Sequence, residues 1–302
     1  MPPLFSIVVP TFDRPRHVRE LLAAWSRVDY PRDGFELILA DDGGVVDLET
    51  PVREAAVHLP VRLLSLPHRS ASAARAAGLT EARGAYILCT DDDCIPHRNI
   101  LRAYEAAIER HPGAALGGPV ENVLTDDVFA TATQDIVTYI CHAWNRNPTE
   151  ARFFTFSNVV FPASPFRAVG GFDPAWRWRT GEDRDVCRRW CEEGKRMVVV
   201  PDARMGHSHG LTFRKFLLQH FHYGQGNHAT TRRRSVADAG PPDWSRPGFY
   251  VGLVLRPFRV HPPVRATAIA FLVVLAQFAT LAGSIDARVR WRSMNDCGGA
   301  RA

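Results

Sequence analysis

Two common phosphate-binding patterns are missing from this 302-residue chain, which contains neither a Walker-type glycine-rich loop nor a G-x-G-x-x-G fingerprint. Because such loops bind phosphate through backbone N–H groups, their absence argues against an NTPase or an NAD-dependent enzyme and leaves any phosphate to a metal ion and side chains. The six cysteines include no C-x-x-C pair. Met1-Pro2-Pro3 does not open a signal peptide, so we expect a reduced, cytoplasmic setting.

Motifs for nucleic-acid binding are missing as well. No aromatic-and-basic RNA motif and no helix-turn-helix pattern accompanies the net charge of +5, so we expect no nucleic-acid partner. The acids cluster at Asp41-Asp42 and at residues 91–93, whereas arginines are concentrated after residue 150, as in Arg232-Arg233-Arg234. A basic C-terminal half indicates an anionic partner such as phosphate or a lipid headgroup.

The first part of the chain alternates strands and helices. Residues 5–10 are an apolar, β-branched run typical of a strand buried on both faces, residues 17–28 carry apolar side chains at helical spacing, and residues 35–40 form a second strand. This order predicts a parallel sheet, because crossovers between strands are right-handed. Ligands bind such sheets at the carboxyl ends of the strands. Three polar groups fall there: residues 11–13, 41–42 and 91–93.

Three consecutive acids, Asp91, Asp92 and Asp93, follow the predicted strand 86–89. Neighbouring carboxylates repel one another and raise each other's pKa, so a divalent cation is the simplest way to keep them ionised. In an extended chain Asp91 and Asp93 would point the same way and Asp92 the other way, and oxygen ligands suit Mg²⁺ or Mn²⁺. The alternative is a solvated acidic turn that caps a helix starting near His97.

An alanine-rich helix is predicted over residues 68–79, where small side chains allow close packing against a ligand. Arg75 on this helix is placed to meet a phosphate or an acid of the site. The alternative is a surface arginine.

Seven segments, in their order and spacing, resemble those of a family 2 glycosyltransferase, over roughly residues 4–225. The resemblance implies an α/β protein of GT-A fold, with a mixed, mainly parallel sheet flanked by helices. It also implies a glycosyltransferase domain at 1–225, divided into a nucleotide-binding part at 1–115 and an acceptor part at 116–225. The segments are Ile7-Val-Val-Pro-Thr-Phe-Asp-Arg14, Leu39-Ala-Asp-Asp-Gly-Gly44, Ser72-Ala-Ala-Arg-Ala-Ala-Gly78, Ala82-Arg-Gly-Ala-Tyr86, Thr90-Asp-Asp-Asp-Cys-Ile-Pro96, Gly170-Gly-Phe-Asp173 and Gly181-Glu-Asp-Arg-Asp185.

The resemblance also assigns roles on the donor side. Asp42 would accept a hydrogen bond from the pyrimidine N3–H, and Asp91 would reach the ribose or the metal. Asp93 would bind the Mn²⁺ or Mg²⁺ that neutralises the diphosphate, although Asp92 is an open alternative. A histidine completes the metal site, and His207 has better spacing than His209. The full nucleotide-binding set is Pro10, Thr11, Phe12, Asp13, Asp42, Arg75, Asp91 and Asp92.

On the acceptor side, the resemblance makes Asp183 the general base that takes the proton of the acceptor hydroxyl in an inverting transfer. Glu182, Trp176 and Trp178 would contact the acceptor, with the indole rings stacking on a sugar face. The alternatives are a helix N-terminus whose acids offset the macrodipole and tryptophans that only cover the sheet. The other predicted elements are strands at 121–125, 153–161 and 197–200, a helix or loop pair at 126–144, and helices at 186–193 and 212–226.

A polar linker at 226–248 precedes a hydrophobic and basic extension at 249–302. Residues 266–285 carry no charge and reach the roughly 20 residues that span a bilayer. We expect a helix that lies on the membrane, with a transmembrane helix and a packing or oligomer helix as alternatives. Arg256, Arg259 and Arg265 would bind anionic lipid, which places the protein on the inner face of the cell membrane as a peripheral or anchored protein.

The expected function is a metal-dependent, inverting transfer of a sugar from a UDP-sugar to a glycan or lipid-linked acceptor, in the synthesis of cell-surface polysaccharide or glycoconjugate. Inversion is implied by the resemblance. One alternative is a catalytically inactive relative that acts as a binding or scaffold subunit. Another is a nucleotidyltransferase on a similar sheet, which would need a lysine-bearing glycine-rich loop where residues 10–15 have none.

Overall fold

The computed structural model describes residues 2–233 and 246–298, which fall into two compact units. The units interleave along the chain, and the division into consecutive domains stays a prediction. The first unit comprises Met1–Val123, Trp144–Arg177 and Val186–His209, and the second comprises Leu124–Ala143, Trp178–Asp185 and Gly210–Ala302.

A seven-stranded mixed sheet forms the centre of the first unit, with the strand order β3-β2-β1-β4-β8-β6-β9. The three neighbouring pairs from β3 to β4 are parallel, whereas β8 runs antiparallel to β4 and β6. The mainly parallel sheet predicted from the strand–helix–strand order is confirmed. Its strands are β1 Phe5–Thr11, β2 Phe35–Asp41, β3 Val61–Ser65, β4 Tyr86–Cys89, β6 Ala115–Gly117, β8 Val159–Pro162 and β9 Met197–Val199.

A second, three-stranded sheet in the same unit consists of β5 Cys94–Pro96, β7 Val120–Asn122 and β10 Met205–His207. The central strand β10 pairs antiparallel with β5 and parallel with β7. In this register His207 lies opposite Cys94. The end of β10 is therefore held beside the acidic turn that precedes β5.

Helices of the first unit pack on the seven-stranded sheet through fully buried side chains such as Trp25 and Tyr104. Helix α3 approaches β1 closely, because a Cβ on its Gly78 would lie 2.6 Å from Val8 Cγ1. The helices are α1 Pro15–Trp25, α2 Glu49–Ala55, α3 Ala71–Glu81, α4 Ile100–Arg110 and α6 Ala163–Ala168; α7, Glu182–Glu192, spans the boundary between the units.

Two predicted strands differ from the structure. The strand expected at 153–161 is shorter, because only Val159–Pro162 pairs with the sheet, and Phe153, Phe154 and Phe156 are buried in an irregular segment. An apolar run can thus belong to a buried loop as well as to a strand. The strand expected at 121–125 is limited to β7.

The second unit is helical, and its core joins four helices. Asp127 caps α5, because its Oδ1 accepts hydrogen bonds from Phe129 N and Ala130 N at 2.9 and 3.0 Å. The segment at 126–144, predicted as a helix or a loop pair, is therefore one helix. The helices are α5 Val128–Trp144, α8 Phe213–Arg232, α9 Pro247–Leu255, α10 Pro257–Val260 and α11 Pro263–Gly298.

Helix α8 continues to Arg232, past the end predicted at residue 226, and it packs closely against α11. A Cβ on Gly224 would lie 1.9 Å from Thr280 O, and one on Gly283 would lie 1.8 Å from Phe221 O. The two backbones thus pack together through glycines. Residues 226–232 of the expected linker belong to α8, residues 234–245 lie outside the described residues, and residues 266–285 form part of α11.

His220 on α8 links the stability of the second unit to pH. Its side chain is 1% exposed, lies against Phe216, and contacts Thr133 Oγ1 through Nε2 at 3.3 Å. Burial lowers the pKa of His220 to about 4. Between pH 6.5 and 4 the unfolded chain therefore binds a proton that the folded chain does not, so stability falls as pH falls, by at most about 3 kcal/mol.

We expect the replacement His220→Gln, which keeps an amide nitrogen near Thr133, to reduce this loss of stability on acidification. The measurement is the urea midpoint of wild type and variant at pH 7 and at pH 5, in the presence of a chelator. An equal shift of the midpoint in the two proteins would show that His220 is not responsible.

Candidate functional site

The three consecutive acids lie in the turn between β4 and β5, at the carboxyl end of β4. Because this segment is a turn rather than an extended strand, the expected alternation of the side chains is wrong. Among the contacts that the structure describes, Asp91 and Asp93 share no partner side chain, whereas Asp92 and Asp93 share Arg14. The three carboxylates therefore have different sets of partners, with Arg14 common to Asp92 and Asp93.

Asp91 is bound by a buried arginine. Arg75 Nη2 lies 2.5 Å from Asp91 Oδ1, and Ser157 Oγ donates a hydrogen bond to Oδ2 at 2.8 Å. Arg75 is 5% exposed, and its guanidinium also lies 5.4 Å from the ring centre of Phe156. The alternative of a surface arginine is thus wrong for Arg75, which is an acid-binding residue of this cluster.

Asp92 is turned towards the end of β1. Its Oδ2 accepts a hydrogen bond from Thr11 Oγ1 at 2.8 Å, and its Oδ1 lies 2.5 Å from Arg14 Nη1. Burial is the main influence on this carboxyl and raises its pKa to about 6, although the charge of Arg14 opposes the shift. Asp92 thus contacts Thr11 and Arg14, whereas the two histidines contact Asp93.

Asp93 is bound by both candidate histidines. Its Oδ2 lies 2.9 Å from His209 Nδ1, its Oδ1 lies 3.3 Å from His207 Nε2, and the two imidazole rings stack in parallel. Burial alone would raise the pKa of Asp93, but the hydrogen bonds from the histidines outweigh it and place the pKa well below its ordinary value. Burial likewise opposes the charged form of His207, yet its hydrogen bond with Asp93 raises the pKa of the imidazole.

The donor atoms around Asp93 fit a divalent ion. Ligand atoms of Asp93, Cys94 and His207 all lie within 4.8 Å of one another. A carboxylate and an imidazole are suitable ligands for Mn²⁺. Burial, with the charges of Asp91 and Asp93, raises the pKa of the Cys94 thiol well above its ordinary value. Asp93 and His207 are the ligand pair better suited to Mn²⁺ or Mg²⁺, because these ions prefer oxygen and nitrogen ligands to sulfur.

Two of the predicted nucleotide-binding residues, Phe12 and Asp42, lie at the neighbouring strand ends. Phe12 is 43% exposed at the end of β1 and stacks on the imidazole of His68, with ring centres 4.4 Å apart. Asp42 is buried, its Oδ1 accepts hydrogen bonds from Arg69 N and Ser70 N, and its Oδ2 lies 3.0 Å from His68 Nδ1. The ring of Phe12 and the carboxylate of Asp42 thus lie at the same edge of the sheet, and both contact His68.

Asp13 and Asp41 shape the turn beside this aromatic pair. Asp13 adopts a positive φ of 51°, and its Oδ1 accepts hydrogen bonds from Val45 N and Val46 N. Asp41 Oδ1 accepts a hydrogen bond from Gly44 N, so Asp41 supports the turn after β2. Pro10 lies within β1, in register with Ala40, and is buried.

Asp183 and Glu182 belong to the second unit, in the first turn of α7. Gly181 has a φ of 94°, and a Cβ there would lie 3.0 Å from backbone atoms of Gly226, so only glycine fits before the acidic pair. Thr180 Oγ1 donates a hydrogen bond to His222 O on α8 at 2.8 Å. The helix starts at Glu182 rather than at residue 186, so the macrodipole alternative also fits.

The two tryptophans expected at the acceptor have different environments. Trp176 is 3% exposed in the first unit, so its ring has no face open to a sugar and the packing alternative is favoured. Trp178 is half-buried in the second unit. Acceptor roles for Trp178 and Glu182 stay predictions.

Sequence reasoning missed three residues of the site: Arg14, His68 and Ser157. His68 follows β3 at the same edge as Asp42, and Arg14 follows Asp13, so position after a strand was the available signal for both. Ser157 carried no such signal, because it lies in the irregular segment before β8.

Comparisons with solved structures identify the fold. The mannosyltransferase PcManGT from Pyrobaculum calidifontis, in complex with GDP-Man and Mn²⁺, superposes with a TM-score of 0.63 at 20% identity, over 96% of this chain and 87% of that one. Residues 1–349 of Staphylococcus aureus TarS, in complex with UDP-GlcNAc, superpose with a TM-score of 0.56 at 15% identity, over 96% and 91% of the two chains. The predicted GT-A fold is confirmed.

Curated relatives cover part of the chain. A pre-mycofactocin glycosyltransferase of Mycobacterium tuberculosis is 26% identical over 225 residues, which are 72% of this chain and 46% of that protein. The glycosyltransferase AglE of Haloferax volcanii is 24% identical over 186 residues, which are 59% of this chain and 61% of that protein. The chain thus spans about half the length of the first relative.

A family model described as "Glycosyltransferase like family 2" matches residues 2–226. This match includes both acidic motifs, the two histidines and Asp183. The chain therefore belongs to glycosyltransferase family 2, as its ordered motifs predicted.

Proposed function

We propose that this chain is a metal-dependent, inverting glycosyltransferase that moves a sugar from a UDP-sugar to a glycan or lipid-linked acceptor. The observation that carries the proposal is Asp93, a buried carboxylate bound by two histidines at the carboxyl edge of the sheet. The solved relatives lend support, since one was determined with GDP-Man and Mn²⁺ and another with UDP-GlcNAc.

On the donor side, Asp93 and His207 would hold the Mn²⁺ or Mg²⁺, with His209 beside them. When bound, this ion supplies charge neutralisation for the departing nucleoside diphosphate. Phe12 offers its exposed face to the base, and Asp42 would accept a hydrogen bond from the pyrimidine N3–H. Asp91, held by Arg75 and Ser157, would reach the ribose or the metal.

On the acceptor side, Asp183 acts as the general base. Inverting transfer needs one carboxylate that takes the proton of the acceptor hydroxyl as this hydroxyl attacks the anomeric carbon. Asp183 lies half-buried at a helix start whose preceding glycine leaves no room for a side chain. Intact Asp91, Asp93 and Asp183 argue against an inactive binding subunit.

We expect Asp93→Asn, which removes the charge but keeps the shape, to lower Mn²⁺-dependent sugar transfer by about a hundredfold or more. Nucleotide release from a panel of nucleotide sugars, titrated with Mn²⁺, measures the effect. Asp33→Asn is the matched control, since Asp33 is exposed in the turn before β2. Unchanged Mn²⁺ dependence in Asp93→Asn would contradict the metal assignment.

We expect Asp183→Asn to lower kcat by about a hundredfold to ten-thousandfold, since a positioned general base contributes that much. Binding of UDP with Mn²⁺, measured by calorimetry, should stay as in wild type because the donor residues are untouched. Asp202→Asn, in an exposed turn, is the control. Full turnover in Asp183→Asn would show that another group accepts the proton.

We also propose that α11 lies along the membrane surface. Within its 29-residue part Pro263–Trp291, an 18-residue window has a mean hydropathy of 2.1, so the helix is long and apolar enough to cross a bilayer by length and composition. One face packs into the core of the second unit through Ile269, Val273 and Ala276, whereas Phe271, Phe278 and other apolar side chains of the opposite face are exposed. A helix with one face in protein and one open apolar face suits an interfacial position. Exposed Arg259, Arg288 and Arg290 supply charge for anionic lipid.

We expect the double replacement Phe271→Ser and Phe278→Ser to weaken binding to vesicles of phosphatidylglycerol by roughly a hundredfold, because two aromatic side chains lose their apolar burial. Vesicle flotation measures this, with Val57→Ser, at an exposed position of the first unit, as the control. Wild type should be released from membranes by alkaline carbonate. Retention after carbonate would show a spanning helix instead.

A further inference from the structure

Arg14 links two of the three acids. It lies directly before α1, and its guanidinium places Nη1 2.5 Å from Asp92 Oδ1 and Nη2 3.1 Å from Asp93 Oδ2. Both carboxylates are buried, whereas the side chain of Arg14 is about one-third exposed. The guanidinium therefore contacts a buried acidic pair from its solvent side.

Asp93 is the carboxylate for which cations compete. Its Oδ2 is contacted by both Arg14 and His209, and its Oδ1 faces His207. A guanidinium fork binds carboxylate oxygens in the way that a metal ion would, through the same lone pairs. A divalent ion that binds Asp93 must therefore share this carboxylate with Arg14 or displace it.

The charge balance of the cluster works against a metal ion that binds alone. Three carboxylates face two arginines, Arg14 and Arg75, which leaves one net negative charge. A divalent ion would then give the cluster an excess of positive charge. A nucleoside diphosphate removes that excess, and it gives the guanidinium a new anion to bind.

We propose that Arg14 is a competing cation that holds Asp93 until a divalent ion and a nucleoside diphosphate bind together. This inference rests on the proposed role of Asp93 as a metal ligand. It makes the two binding events mutually strengthening, because each relieves the charge imbalance that the other creates, and such coupling is reciprocal. Arg14 is thus a positioning residue that couples metal binding to donor binding.

The test uses Mn²⁺ binding, followed by electron paramagnetic resonance on the full chain, with and without UDP. Without UDP, Arg14→Gln should bind Mn²⁺ about tenfold more tightly than wild type, because the competing charge is gone. At saturating Mn²⁺, the same variant should bind UDP more weakly, since the diphosphate has lost a partner. Arg14→Lys keeps the charge and should bind Mn²⁺ about as weakly as wild type.

Arg16→Gln is the control, because exposed Arg16 on α1 pairs only with Glu20 among the described contacts, and it should change neither affinity. Thermal unfolding confirms that each variant is folded. If Arg14 acts only in folding, Arg14→Gln should weaken the binding of both Mn²⁺ and UDP. That result, or unchanged Mn²⁺ binding, overturns the inference while the proposed function stands. Failure of wild type to bind Mn²⁺ even with UDP overturns both.

Discussion

The site depends on one electrostatic constraint: three adjacent carboxylates at the end of a buried strand must each be matched by a donor or a cation. Burial would otherwise favour the neutral acids. The strand order supplies the partners, since β4 lies between β1 and β8. Thr11 ends β1 and Arg14 follows it, Ser157 precedes β8, and Arg75 projects from α3, which packs on β1. The acidic turn is therefore a product of the sheet's topology as much as of its own sequence.

The three-stranded sheet positions the histidine partners of Asp93, which the seven-stranded sheet does not supply. Pairing of β10 with β5 places His207 opposite Cys94 and beside the carboxylate of Asp93. Two residues later, His209 contacts the same carboxylate. Asp93 is thereby kept ionised despite its burial, which preorganises the site for a cation at low reorganisation cost. The carboxylate of Asp93 and the imidazole of His207 thus offer an oxygen and a nitrogen ligand to a cation.

The second unit is organised by backbone contact. Gly224 and Gly283 let α8 and α11 approach without intervening side chains, and Gly181 meets Gly226 in front of Asp183. Because α11 is apolar on both of its faces, one face can complete the helical core while the other stays open. Hydrophobic pattern alone does not distinguish this arrangement from a spanning helix.

Local pattern determined the main strands, the order of strands and helices, and the family, because β-branched runs, turn residues and motif spacing are properties of short segments. It also placed Asp13, Asp42 and Asp93 at the carboxyl edge of the sheet, whereas His207 came from the family resemblance. Only the tertiary structure decided which acid receives which partner, because those partners come from segments distant in the chain, as with Ser157 on Asp91 and His209 on Asp93. It also buried Trp176 and turned the aromatic run before β8 into a loop, since register and packing set whether an apolar side chain joins a strand, a core or a site.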